Sequence, residues 1–132
     1  MNNHSGYIAL ISAIVISTLL VGLTFALSYA GYFSRFNILE SEYKERSLAL
    51  AEACVDTALL KIAQNPGYNP SNESIPVGTD SCMVVSAQAN QPVAGQTTIK
   101  TQGLYQKSYS NIIVIVNSAS LVVISWNEVP NF

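Results

Sequence analysis

Histidine is almost missing from this chain: His4 is the only one, and it stands in a short polar leader, away from any acid or nucleophile of the expected folded part. Cysteine is nearly as scarce, with Cys54 and Cys82 alone. Two thiolates and one distant imidazole do not make the four ligands of a structural zinc site, so no metal is expected. Charge is sparse as well, with six Lys or Arg against eight Asp or Glu and a net charge of −2 in 132 residues. No basic stripe interleaved with aromatics occurs, so no nucleic acid partner is evident. No glycine-rich phosphate loop or dinucleotide fingerprint is present either. No catalytic residue and no cofactor site can be named, and the chain is not expected to be an enzyme.

Two further absences organise the N-terminal half. From Ser5 to Ser34 there is no charged residue, and no proline occurs before Pro66. The apolar core of the first stretch, Tyr7 to Phe33, would reach about 40 Å as a helix at ~1.5 Å per residue. A bilayer's hydrocarbon layer needs only about 20 residues, so this segment can span it with some tilt. Ser12, Ser17, Thr18, Thr24 and Ser28 do not prevent this, because a helical hydroxyl can bond back to a carbonyl one turn earlier. Gly22 and Gly31 are tolerated in membrane helices and would let a neighbouring helix come close. A buried core helix rarely stays apolar on every face for so long. Membrane lipid is therefore the first expected partner.

A secretory signal would place a basic region first and a small-residue cleavage site after the apolar core. Here the leader is MNNHSG, and its glycine, Gly6, comes before the apolar run. Ser28-Tyr29-Ala30 is only a weak match to a signal peptidase site.

Nothing stops the helix at Arg35. The segment to Asn65 is rich in good helix formers, and Phe36, Leu39, Tyr43, Ser47, Leu50 or Ala51, Cys54, Ala58 and Ile62 recur at steps of three and four, making one stripe. Glu40–Lys44 and Glu42–Arg46 are acid-before-base pairs one turn apart, each adding a few tenths of a kcal/mol. Asn65-Pro66-Gly67 should end the helix, since proline pushes its predecessor out of helical geometry. The reading is one continuous helix from Tyr7 to Asn65, about 90 Å long at ~1.5 Å per residue.

Residues 66–81 are dense in Pro, Gly, Asn and Ser and read as a loop. The period then becomes strand-like, with strands expected at Cys82–Ala89, Gln96–Thr101, Gln106–Val116 and Leu121–Trp126. Short loops between them argue an antiparallel meander. Ile112 to Val116 is apolar on both faces and suggests a central strand. A sheet of about four strands needs a cover, and the striped half of the helix, Leu48 to Ile62, is the candidate to lie over Ile113 and Ile115. The fold class is α+β: a long N-terminal helix, transmembrane in its first half and amphipathic in its second, packed on a small antiparallel sheet. The expected organisation is a leader at 1–6, a membrane segment at 7–34, an amphipathic segment at 35–65 and a loop-and-sheet head at 66–132.

Cys54 lies on or beside the helix stripe, and Cys82 opens the first expected strand. One cysteine on each packed layer is well placed for a disulfide; the alternative is two buried free thiols acting as small hydrophobes. An extracytoplasmic head would favour the bond, and closing this loop would add about 3–4 kcal/mol on the chain-entropy estimate.

This arrangement resembles the type IV pilin and pseudopilin family. The residues that carry the resemblance are the polar leader ending in Gly6, the aromatic Tyr7, the unbroken apolar helix and the α+β head after it. The run AEAC at 51–54, Ser81-Cys82 and Trp126 are also similar to pilin-like proteins. The resemblance implies that a prepilin peptidase cuts between Gly6 and Tyr7 and methylates the new amine. It also implies that other pilin or pseudopilin subunits pack against the N-terminal helix. Family major subunits usually carry glutamate as the fifth residue of the mature chain, where this sequence has Ile11; that departure resembles minor pilins and tip-capping pseudopilins. The leader lacks the Lys or Arg that family leaders usually carry. Arg35, Lys44 and Arg46 follow the apolar segment, and the positive-inside rule alone would put the head in the cytoplasm.

The expected function is a structural minor pilin or pseudopilin subunit of a type IV pilus-like or type II secretion-like filament. Its helix would wait in the cell membrane with the head extracytoplasmic until assembly carries it into the filament. The alternative is a single-pass, membrane-anchored binding or adhesion domain that never assembles.

Overall fold

The computed structural model describes residues 4–132, with side chains from residue 6 onward. Helix α1 (His4–Gln64) is followed by five strands, β1 (Ser71–Val77), β2 (Asp80–Ala89), β3 (Gln96–Tyr105), β4 (Ser108–Asn117) and β5 (Val123–Val129). They form one antiparallel sheet in the order β1-β2-β3-β4-β5. The α+β class and the meander are those the sequence indicates, with five strands in place of about four. The chain divides into two compact units, parted between Leu39 and Glu40. Residues 1–3 of the expected leader lie outside the described residues.

Within the second unit, the C-terminal part of α1 buries one stripe: Ser47, Leu50, Ala51, Cys54, Val55, Ala58 and Ile62. Phe36 and Leu39, which the periodicity adds to that stripe, are 60% and 46% exposed and belong to the other unit. Periodicity identifies a face but not where its cover ends. The helix stops as expected. The Asn65 N–H still donates to the Lys61 carbonyl, the Gly67 N–H then donates to Asn65 Oδ1, and Tyr68 N–H donates to the Asn65 carbonyl.

The covered face of the sheet follows from register. Thr101 pairs with Val84 on one side and Ile112 on the other, Ile99 pairs with Val114, and Thr97 pairs with Val116. Because side chains alternate across a strand, these residues share a face, and all of them are buried. The Thr101 hydroxyl donates to the Ala51 carbonyl at 3.0 Å, which shows that this face meets the helix. Ile113 and Ile115, expected beneath the helix, lie instead on the opposite face and are half-buried. Ile112 to Val116 is an unbroken apolar run, so its alternation carries no phase, and the pairing with β3 decides it.

Two segments read as loops are strand. Ser71–Val77 pairs with β2 through a tight turn at Gly78, whose φ of +62° suits glycine. Its composition misleads because β1 is an edge strand, where Pro76 need not donate to a neighbour. Residues 102–105 continue β3, and the chain reverses at Gln106-Lys107, which connect the Tyr105–Ser108 pair.

Gly103 explains that second difference. A Cβ there would lie 2.0 Å from the Ser47 carbonyl oxygen and 2.6 Å from the Ala51 nitrogen, so strand backbone touches helix backbone. Glycine inside a strand often marks such an approach. Ser47 and Ser110 complete the contact, their hydroxyls 2.9 Å apart and both buried. A methyl group at 103 would meet backbone that no rotamer change can move. Gly103→Ala is therefore expected to destabilise the protein by about 3 kcal/mol, an overpacking cost. Urea unfolding of the full chain measures this, and an unchanged midpoint would contradict the close approach.

Candidate functional site

Among the described residues, one helix is long and apolar enough to cross a membrane, and the apolar stretch of it is wholly exposed. Every side chain from Gly6 to Leu39 is solvent-facing, including Tyr7, Ile8, Leu10, Ile14, Leu19, Leu23, Phe25 and Leu27. Soluble proteins seldom present an apolar surface this extensive without a partner or a membrane. Four of its hydroxyls are satisfied within the helix: Ser12 donates to the Ile8 carbonyl at 2.7 Å, Ser17 to Ala13, Thr18 to Val15 and Thr24 to Val21. Back-bonding of this kind lowers the cost of placing Ser and Thr in hydrocarbon.

The residues singled out from sequence are distributed along this helix and are not gathered into a pocket. Gly6 and Tyr7 both lie inside α1, because the helix begins at His4 and continues through the expected leader junction. Ile11 is exposed and apolar, on the same helix. A Cβ at Gly22 or Gly31 would meet nothing within 4 Å, so neither glycine is required by packing inside this chain. Only the cysteines are brought together. Cys54 on α1 and Cys82 on β2 form a disulfide, with Cα atoms 5.9 Å apart and both residues buried.

Two polar clasps, invisible in sequence, hold the outer strands to α1. Lys61 pairs with Glu73 of β1, and the Tyr68 hydroxyl donates to the same carboxylate. Lys44 donates to Glu128 of β5, to Ser110 Oγ and to the Tyr109 carbonyl. Lys44 thus turns to the sheet, not to Glu40 one turn away, whereas Arg46 and Glu42 do pair at 2.9 Å as expected. Hydrogen bonds from Lys61 and then Tyr68 hold the Glu73 carboxyl below its ordinary range, against a small opposing effect of burial. The hydrogen bond from Lys44 does the same for Glu128. The Tyr68 hydroxyl moves up, through burial first and then its bond to the Glu73 carboxylate.

The sheet edges differ. β1 carries Pro76 and the clasped Glu73, which discourage a further strand. β5 and the turn before it expose Val122, Val123, Ile124 and Trp126. An open concavity of about 380 Å³ lies between Lys44, Tyr109, Glu128, Val129 and Pro130, and its lysine is already committed to the three oxygens named above. Among the described residues no three His, Cys, Asp or Glu side chains cluster as a metal site would require.

Comparison with protein-family models, with curated proteins and with solved structures returns no match to this chain. A family reading therefore depends on chain order and fold.

Two outcomes follow from the head's geometry. Non-reducing peptide mapping after rapid thiol blocking should recover the Cys54 and Cys82 peptides joined; both thiols fully alkylated would contradict the bond. Acid should also loosen the outer strands. Because Glu73 and Glu128 titrate lower in the folded chain than unfolded, their contribution is complete above the unfolded carboxylate value of about 4.3 and is lost as pH falls through the depressed folded values. Both pairs are partly exposed, so each contributes only about 0.2–1 kcal/mol. Glu73→Gln should lower stability at neutral pH by that amount and flatten its loss below pH ~4. Thermal unfolding across that range, with an unchanged slope for the variant, would count against the clasp.

Proposed function

We propose that this chain is a minor pilin or pseudopilin-type structural subunit of a type IV pilus-like or type II secretion-like filament, held in the cell membrane by its N-terminal helix before assembly. The observation that carries the reading is one helix with two kinds of surface. Residues 6–39 expose apolar side chains on every face, while Ser47 to Ile62 form the core of a disulfide-closed α+β head. A helix of this kind is suited to moving from lipid to a bundle of like helices, because both surroundings keep its apolar surface from water. Moving it through water would cost about 25 cal/mol for each Å² exposed, so replacement contacts must form as lipid is left behind. A machine elsewhere would supply the work of extraction. The role asks for no catalytic group, and the partners are lipid, other subunits and a prepilin peptidase.

The uncharged Ile11 favours a minor or tip position over a major one, since it offers no carboxylate to a neighbouring terminal amine. The disulfide supports an extracytoplasmic head, because such bonds persist where the compartment is oxidising. Arg35, Lys44 and Arg46 weigh the other way under the positive-inside rule. Lys44 and Arg46 are already engaged with Glu128, and with Glu42 and Tyr105, as parts of the folded head.

Processing separates this reading from a membrane-anchored binding or adhesion domain that never assembles. Intact-mass and N-terminal analysis of the protein from native membranes should find a chain beginning at Tyr7, methylated on its amine, with the apolar helix retained. An intact Met1, or a chain beginning near Gly31, would reject it.

A further inference from the structure

The apolar part of α1 is not uniform along its length. Tyr29, Tyr32, Phe33 and Phe36 crowd its last two turns, all exposed. Their rings touch in sequence: Tyr29 and Phe33 centroids are 4.7 Å apart, Tyr32 and Phe33 6.1 Å, and Tyr32 and Phe36 6.3 Å. Spaced at steps of three and four, they occupy one face of the helix. The first charged residue of the chain, Arg35, stands among them. At the other end a single aromatic, Tyr7, opens the apolar run. At ~1.5 Å per residue about 33 Å of helix separates Tyr7 from Tyr29, and about 38 Å separates it from Tyr32. The hydrocarbon layer of a bilayer is about 30 Å thick, and about 40–45 Å with its headgroup regions.

We infer that Tyr29, Tyr32, Phe33 and Phe36 form a lipid-headgroup collar. In this arrangement the hydrocarbon-immersed segment ends near Ser28, and the next two turns lie in the membrane interface. The partner is the lipid surface, and the inference rests on the membrane reading above. Three observations meet here. Tyrosine has an apolar ring and a polar tip, which suits it to the boundary and not to the bilayer centre. The spacing from Tyr7 matches the distance between the two boundaries. The one-sidedness also fits, since a helix whose apolar run of about 40 Å exceeds the hydrocarbon thickness tilts. One face of its exit turns then runs along the headgroups, and that face carries the rings. Arg35 at the same level can extend its guanidinium to phosphate while its stem stays in the boundary.

Depth-dependent fluorescence quenching tests this on the full chain reconstituted in phosphatidylcholine vesicles. Trp126→Phe removes the native indole from an exposed position on β5, and a single tryptophan is then introduced as Tyr32→Trp or as Leu19→Trp. Lipids brominated near the headgroup should quench the tryptophan at 32 more than lipids brominated near the chain ends. The tryptophan at 19 should show the reverse order. If the deep bromines quench both positions more strongly, the collar lies in hydrocarbon and the inference fails while the membrane reading stands. If only position 19 is quenched, the rings lie in water and the inference again fails alone. If neither depth of bromine quenches position 19 in vesicles that carry the protein, the membrane reading itself is rejected, and the collar with it.

Discussion

Strand β3 meets helix α1 backbone to backbone at Gly103, and the rest of the head is arranged around that approach. The lack of a side chain there lets Thr101, two residues earlier on the same face, reach the Ala51 carbonyl with its hydroxyl. It also lets Ser110, the partner of Gly103 on β4, bond Ser47 across a buried gap. Small residues on the helix, Ser47, Ala51, Cys54 and Ala58, keep the layers close along the stripe. Larger side chains then fill the flanks: Val55 and Ile62 from the helix, and Val84, Ile99, Ile112, Val114 and Val116 from the sheet. With the layers this near, Cys54 and Cys82 come within bonding reach, because Cys82 pairs directly with Gly103 across β2 and β3.

What could be read in the sequence follows from which signals are local. The unbroken helix was legible because charge and proline are both missing where they would interrupt it. The meander was legible because its connections are short, and the disulfide because each cysteine fell on a different packed layer. The phase of β4 was not, since a run of five β-branched residues gives no alternation to read. β1 was hidden by its own edge-strand protections, Pro76 and Glu73, which resemble the composition of a loop. The Lys44 clasp was out of reach because Glu128 lies 84 residues away, and the Lys61 clasp because Glu73 sits in β1, whose composition reads as a loop. Gly103 did leave a trace, as a lone glycine between strand-like residues, but the same trace marks an ordinary turn.

The candidate site is of a kind that sequence describes better than structure. A catalytic centre is assembled by folding from distant residues, so its geometry appears only in three dimensions. A long exposed apolar helix is a continuous stretch whose chemistry is already complete in its order of residues. Folding contributed two things there. It showed that the hydroxyls of Ser12, Ser17, Thr18 and Thr24 are turned back onto the helix. It also showed that Tyr29, Tyr32, Phe33 and Phe36 contact one another along one face.

The disulfide ties the head's stability to the redox state of the compartment in which it folds. Bridging residues separated by 28 positions in sequence removes about 3–4 kcal/mol of unfolded-chain freedom on the entropy model. Domains have only about 0.05–0.15 kcal/mol of net stability per residue, so for a head of this size the bond is a large fraction of the total. In a reducing compartment the same two thiols would remain buried small hydrophobes, and the packed core around Gly103 would hold the layers without a covalent link. The outer clasps cannot replace the bond, since each is a partly exposed ion pair of modest value. The two lysine clasps tether the sheet's outer strands to the helix. The covalent link between α1 and β2 ties the helix to the sheet beside Gly103, where the two layers are closest.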